Sequence, residues 1–330
     1  MTLSFRRRGA LGLVAGLGTL ALPALQARAQ PVSRNARIIV GFPPGGSSDL
    51  VARLYADRLR GLYAPNVIVE GRVGAAGRIA VEFVRDAEKD GTTFLQTPAS
   101  MLTLQPHVFP REVRYDALTD LVPVSTVCSF PFAITVPASH PARTFDQLVA
   151  WLKAQSGETP FASPAAGSAP HFLGVMLANA LGVRMTHVPY RGAVPAIQDL
   201  VAGRLPVFVG VLGDVSPQHG QGARMLALTS QARNPRYPDV PTMREVGHPN
   251  LSKDEWFGAL LPGGTPPAIV QALHAAITRI AASPEAIAAL DRMEYLPTVS
   301  ASPQAFADRI RAEREEWGPV VRDSGFQPEN

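Results

Sequence analysis

The 330-residue chain has one cysteine, Cys128, so it can form neither an intrachain disulfide nor a cysteine-rich zinc site. It has no low-complexity tract, no charged tail and no short solenoid-type repeat. Past the N-terminus no segment approaches about 18 uninterrupted apolar residues, which excludes a polytopic membrane protein. Excess charge is missing too, although the formal net charge is +4. The first 29 residues hold four arginines (Arg6, Arg7, Arg8 and Arg28) and no acid, which leaves 27 basic residues against 27 acids in the rest of the chain. The basic footprint of a nucleic-acid binder is therefore absent.

What is present begins with the leader. A cationic stretch through Arg8, an apolar run from Leu11 to Leu25 and the small-x-small trio Ala27-Arg28-Ala29 have the form of a signal peptide cleaved after Ala29. Gly12, Gly16, Gly18 and Pro23 interrupt the run and make it too short for a spanning anchor. Arg7-Arg8 leaves both the Sec and the twin-arginine route open, and no cysteine follows the site to carry a lipid. The mature chain is expected in the periplasm.

With 46% hydrophobic and 18% charged residues, the mature chain is long enough for two globular cores. Strands alternate with helices, the pattern of an α/β protein with mostly parallel sheets. Ile38-Ile39-Val40 reads as a buried strand and Phe42-Pro43-Pro44-Gly45-Gly46-Ser47-Ser48-Asp49 as a loop ending in N-cap residues. A helix follows, with Leu50, Val51, Leu54, Tyr55, Leu59 and Leu62 on one face and Asp49 spaced to pair with Arg53. The same unit recurs about 120 residues later: Phe161-Ala162-Ser163, the loop Pro164 to Pro170, then a helix with Phe172, Leu173, Met176, Leu177 and Leu181 inward. Further elements are expected as strands near Thr92–Thr97 and Pro206–Val211 and as helices over Thr144–Gln155, Ala193–Ala202, Pro266–Ala282 and Pro303–Arg322.

Both loops lie where a strand's C-terminal end meets a helix N-terminus, the place where open α/β sheets bind ligands. Helix N-termini carry about half a positive charge, and the hydroxyls of Ser47, Ser48, Ser163 and Ser168 add donors, so two converging loops suit a carboxylate. Gly46 is expected to need a φ that only glycine takes readily. Asp49 reads first as a cap and only secondarily as a partner for a water or an amino group. The competing chemistry is thin. No Gly-x-Ser-x-Gly, His-Glu-x-x-His or Walker motif occurs, and the seven histidines show no i,i+3 or i,i+4 pair, so neither a metal nor a cofactor is expected. Ser168 and His171 could form a Ser-His dyad, but their positions suit a cap and a first-turn polar residue better.

Ile39 to Arg53 resembles the opening of the tripartite tricarboxylate transporter substrate-binding proteins, the Bug family. The resemblance continues through Asp90–Leu95, Ala162-Ser163-Pro164, Gly167–His171, His187–Gly192, Pro238–Thr242 and Trp256-Phe257-Gly258. It implies a two-lobe Venus-flytrap fold of the periplasmic-binding-protein type, its lobes joined by two crossing strands. Residues 30–130 with 255–330 would form the first lobe and 131–254 the second. The resemblance also implies a non-enzymatic, monomeric receptor that delivers a small carboxylate to a membrane permease. A sensory adaptor with the same ligand closure and a Ser168/His171 hydrolase are the alternatives. Carried over residue by residue, Phe42, Pro43, Gly45, Gly46, Ser47, Ser48 and Asp49 would form one jaw. Ser163, Gly167, Ser168, Ala169 and His171 would form the other, with Thr97, Ser100, Tyr190 and Asp214 at the rim or distal end. Gly71–Gly77 departs from the family's usual Asn-Arg-Pro-Gly-Ala-Gly-Gly and is expected to be a surface turn.

Overall fold

A computed structural model describes residues 1–2, 30–324 and 326. The leader reading falls on residues 3–29, outside that set.

The first stretch runs β1 (Ala36–Val40), α1 (Ser47–Leu59), β2 (Val67–Gly71), α2 (Arg78–Arg85), β3 (Thr93–Pro98) and the single-turn helices α3 (Ser100–Thr103) and α4 (Gln105–Val108). The chain continues with β4 (Leu121–Pro137), α5 (Phe145–Lys153), β5 (Thr159–Ser163), α6 (Ala169–Leu181), β6 (Met185–Pro189), α7 (Ala193–Val201), β7 (Val207–Val211), α8 (Leu212–Val215) and β8 (Ala223–Leu228). It ends in β9 (Asp254–Pro262), α9 (Pro267–Ala281), α10 (Pro284–Arg292), β10 (Leu296–Pro297) and α11 (Pro303–Asp323). The elements expected from the sequence are present within two residues of their expected bounds, except that α1 ends at Leu59, three residues before Leu62.

The repeat seen in the sequence is a repeat of topology. β1 lies between β2 and β3, parallel to both, and β5 lies between β6 and β7, parallel to both. Each trio is a β-α-β-α-β unit whose first strand is central, so the chain reverses its winding direction at β1 and at β5. Side chains at the C-terminal ends of these two strands face open crevices, because neighbouring connections leave on opposite sides. The lobes share β4, whose 17 residues are almost all buried. β4 pairs antiparallel with β9 from Leu121 to Pro131, then with β7 and β8 from Phe132 onward. The chain returns through residues 229–253 into β9, which begins at Asp254 opposite Pro131. The architecture is a two-lobed α/β fold, and both crossings meet at that point.

Helix faces follow the sequence pattern except at the ends of α1, where Leu50 is exposed and Leu62 lies beyond the helix. Val51, Tyr55 and Leu59 of α1 are buried, and Asp49 pairs with Arg53 at 2.9 Å. Phe172, Leu173, Leu177 and Leu181 of α6 are buried, and Gly174 lets that helix lie on Phe161 of β5 where any Cβ would overlap the ring. The caps differ from expectation. Gly46 is the N-cap of α1, and Ser168, at the N-cap of α6, does not cap with its hydroxyl.

Candidate functional site

The loops after β1 and β5 meet across the cleft. Gly192, beside the second loop, packs on Pro43, where an added Cβ would come within 3.1 Å of the ring. Gln105 Nε2 reaches Ala166 O at 3.4 Å. Between the lobes lies a cavity of about 70 Å³. One water needs roughly 10–15 Å³ by this measure, so the cavity has room for about five waters or a small acid. The first loop lines it with Phe42, Pro43, Gly46, Ser47 and Ser48, joined by Pro98 and Ser100. Phe130, Phe132, Glu255 and Phe257 come from the crossing strands. The second lobe supplies Pro164, Ala165, Ser168, Pro170, residues 192–195, Val211 and Asp214. Among the described residues, no lysine or arginine lines it.

In the first loop Ser47 and Ser48 line the cavity, while Asp49 lies behind it. Gly45 holds φ +85°, and Asp49 Oδ2 accepts from Gly45 N at 3.0 Å and Arg53 Nε at 2.9 Å. Burial opposes the Asp49 charge, but the Arg53 and Gly45 bonds outweigh it and hold the carboxyl below the usual range. Asp49 therefore braces its own loop. Ser48, 4% exposed, has a hydroxyl with no hydrogen-bond partner among the described residues. Ser100, 2% exposed, is in the same condition, its hydroxyl near Glu255 without acceptable hydrogen-bond geometry.

Two acids reach these elements from elsewhere. Ser47 N, at the start of α1, donates to Asp214 Oδ1 of the opposite lobe at 3.0 Å. Burial pushes Asp214 up to about 6, against the opposing pull of Ser47. Ser100 N donates to Glu255 Oε1 at 2.8 Å, and burial pushes that acid, 6% exposed, up to about 7.

The second loop turns inward on itself. Ser168 Oγ donates to Ala165 O at 2.7 Å, Ser163 Oγ donates to the same oxygen at 3.1 Å, and His171 Nδ1 accepts from Gly167 N at 3.0 Å. With the Ser163 proton committed, its 2.7 Å contact with His187 Nε2 has the imidazole as donor. His171 and His187 stack with ring centroids 3.8 Å apart. Burial lowers both pKa values, with the neighbouring imidazole adding to the effect at His171, so both rings are neutral. Ser168 and His171 thus each bond elsewhere, and they form no dyad with each other.

This geometry agrees with the comparisons. The family model for the tripartite tricarboxylate transporter family receptor matches residues 51–326. The protein BugT of Bordetella pertussis is 33% identical over 299 residues, covering 89% of this chain and 90% of BugT. The chain belongs to this receptor family. Among solved structures, R. palustris Rpa4515 with adipate superposes with TM-score 0.85 at 29% identity, covering 90% of this chain and 99% of that one. The periplasmic binding protein BugD superposes with TM-score 0.83 at 28% identity, with coverage of 90% and 99%. The receptor is therefore a solute-binding protein of a periplasmic group and not an enzyme.

Within the receptor, the expected site residues divide. Phe42, Pro43, Gly46, Ser47, Ser48, Ser100, Ser168 and Asp214 line the cavity. Gly45, Asp49, Ser163, Gly167, Ala169 and His171 stand behind it as the frame of the loops, and Thr97 is buried in β3. Tyr190 lines an adjoining cavity that shares Phe42, Pro43, Pro164, Ala165 and Gly192 with the first and adds Arg191 and residues 73–77, and its hydroxyl donates to Asp199 Oδ2 at 2.6 Å. The special φ expected at Gly46 belongs to Gly45, since Gly46 is extended at φ −86°, ψ 173°. Residues 71–77 are not a detached surface turn, because Gly77 presses against Gly41 at the root of the first loop. Sequence reasoning missed Glu255 and the three phenylalanines. Glu255, directly before the Trp256-Phe257-Gly258 motif, was the available signal, one of two acids with Asp254 at the head of a strand that is apolar from Trp256 onward. Among the described residues no three His, Cys, Asp or Glu side chains are grouped to hold a metal, and no helix is long and apolar enough to cross a membrane.

Proposed function

We propose that this receptor captures a small carboxylate between its lobes and passes it to a membrane permease of the tripartite tricarboxylate transporter type. It would act as a monomer, exported with cleavage after Ala29. The observation that carries this reading is the unpartnered Ser48 hydroxyl, 4% exposed, at the start of α1 on the wall of an interlobe cavity. A buried donor without an acceptor costs about 1–3 kcal/mol, and an anion at a helix N-terminus would supply the acceptor. The structure of a relative with adipate supports the ligand class. The lobes we propose are residues 30–130 with 255–330, and 131–254. In support, β4 leaves β9 at Pro131 and takes up β7 at Phe132.

The test is a thermal-shift screen of refolded, ligand-free protein against small acids, in which an acid at 100 times its Kd adds about 2.7 kcal/mol of stability. Small-angle scattering should then show hinge closure, with each lobe unchanged inside. Uptake of the labelled acid by cells carrying the permease should require the receptor. No stabilisation by any acid would refute ligand capture, and uptake that is independent of the receptor would refute delivery.

A further inference from the structure

On one flank of the cleft a loop of the second lobe grips a turn of the first. The C-terminal end of α10, a helix packed on α1 and α9, presents Asp291 and Glu294. Facing it is the loop at residues 234–237 of the second lobe, where Tyr237 meets His219 edge-on at 5.5 Å. Three side chains of that loop converge on one carboxylate. Asn234 Nδ2 donates to Glu294 Oε2 at 2.7 Å, while Arg236 Nη1 at 3.0 Å and the Tyr237 hydroxyl at 3.1 Å donate to Oε1. Arg236 also donates to Asp291, to both its backbone oxygen and its carboxylate. The loop is set for this, because Asn234 Oδ1 accepts from Arg236 N and Asn234 O accepts from Tyr237 N, each at 2.9 Å. The Glu294 side chain is only 6% exposed.

Glu294 holds this place against backbone strain. It follows Met293, the C-cap of α10, at φ +64°, in the left-handed region where glycine is the usual residue. Among the described residues only Ala75 and Ala76 share that condition without being glycine. A side chain retained under such strain points to work done by the side chain. The same turn leans on the cavity wall. A Cβ added to Gly213 would overlap Met293 O, and the next residue, Asp214, accepts from Ser47 N across the cleft. β10 begins two residues beyond Glu294 and pairs with β4 at Cys128 and Ser129, just before the crossing at Pro131. Resting on the receptor reading, in which the lobes rotate about that crossing, we propose that Glu294 is a positioning residue. With Asn234, Arg236 and Tyr237 it clasps the lobes shut and maintains a closed population before any solute arrives. A contact made in one arrangement and not the other shifts the equilibrium by its own strength, and apparent affinity scales with the competent fraction. The clasp thus sets affinity from outside the cavity, whatever the cavity holds.

The experiment uses the refolded mature chain with no solute added. Asp57→Cys on α1 and Lys153→Cys on α5, both exposed, carry one nitroxide label on each lobe, and the buried Cys128 stays unlabelled. Pulsed dipolar spectroscopy reads the distance between the labels. The expected result is a closed and an open distance in the labelled parent. Glu294→Gly removes the side chain and relieves the left-handed strain, so circular dichroism should be unchanged while the closed-to-open ratio falls at least about fivefold. Arg236→Gln, on the other lobe, should act in the same direction. The two together should do little more than either alone, because they break one clasp. If Glu294→Gly fails to fold, Arg236→Gln decides by the same reading. A closed-to-open ratio that is unchanged or raised in the folded variants, or a parent with no closed distance, would overturn the clasp. Fully additive effects would overturn it too, since the two residues would then act through different contacts. The receptor reading fails on a different result, the absence of stabilisation by any small acid, so the two are distinguishable.

Discussion

The two loops that face each other across the cleft are built from the same materials and use them in opposite ways. The loop after β1 leaves Ser48 unpartnered and offers the start of α1 to a group from outside, Asp214. The loop after β5 gives the protons of Ser163 and Ser168 to Ala165 O and the Gly167 N–H to His171. One loop is stabilised by what enters the cleft, and the other is already stabilised from within. Serine and glycine content alone does not distinguish a binding surface from a scaffold; the destination of each proton does.

The most severe way to sharpen this contrast is to strain both loops at their left-handed glycines. Gly167 holds φ +68°, and a Cβ there would overlap Phe109 of the opposite lobe, whereas Gly45 holds φ +85° with nothing within 4 Å of an added Cβ. Gly167→Ala should cost about 2–5 kcal/mol, combining left-handed strain of about 1–2 with overpacking of about 1–3. Gly45→Ala should cost only the strain. Urea denaturation of both variants measures the difference. Equal losses would mean that the second loop is no more tightly framed than the first.

A second contrast is electrostatic, and it separates the acids facing the cleft from the imidazoles packed beneath the second loop. Glu255 rises from an ordinary 4.5 to about 7 through burial, so the folded state holds its proton more tightly than the unfolded chain. That contribution is complete below about pH 4.5 and is lost as pH rises through 7, amounting to about 3 kcal/mol at most for one buried group. His187 is pushed the other way, from 6.5 to about 4, again by burial. Its contribution is present above pH 6.5 and is lost as pH falls toward 4. Relative to wild type, Glu255→Gln should therefore gain stability with rising pH across 4.5–7, and His187→Gln should gain it with falling pH across 6.5–4. Calorimetric Tm series on the ligand-free proteins read both slopes, and slopes of the same sign would contradict the assignment.

Much of this was legible in the chain because it is local. β1, its loop and α1 follow from Ile38–Val40, two prolines, two glycines and an apolar period of 3.6, all within about 25 residues. The second unit follows in the same way. What could not be read depends on pairing between distant segments. Glu255 meets Ser100 only because β9 lies against β3, with Phe257 opposite Pro98. The histidines look scattered along the sequence, yet parallel pairing of β5 with β6 sets His187 opposite Phe161 and so beneath His171. The choice between Gly45 and Gly46 for the left-handed position lies below the resolution of any pattern, since the two are adjacent and chemically identical.

The smallest effects are expected from removing one hydroxyl from each loop, and their pattern matters more than their size. Ser168 lines the cavity, but its single proton goes to Ala165 O. Toward a carboxylate, which has no proton to give, that oxygen can contribute nothing. Ser168→Ala should then lower stability by about 0.5–1.5 kcal/mol, the net worth of an ordinary hydrogen bond, and leave affinity nearly unchanged. Ser48 is the reverse case, because its hydroxyl is buried with no partner and the empty protein gains nothing from it. Ser48→Ala should leave the stability of the ligand-free protein unchanged or slightly raised, while weakening binding by about 1.5–3 kcal/mol, the range for a hydrogen bond to a charged group. Denaturation of the empty proteins and calorimetric titration with whichever acid the screen returns give the two readings for each variant. If Ser168→Ala loses the affinity and Ser48→Ala loses the stability, the roles of the two loops are exchanged, and the ligand lies against the second lobe instead of the first.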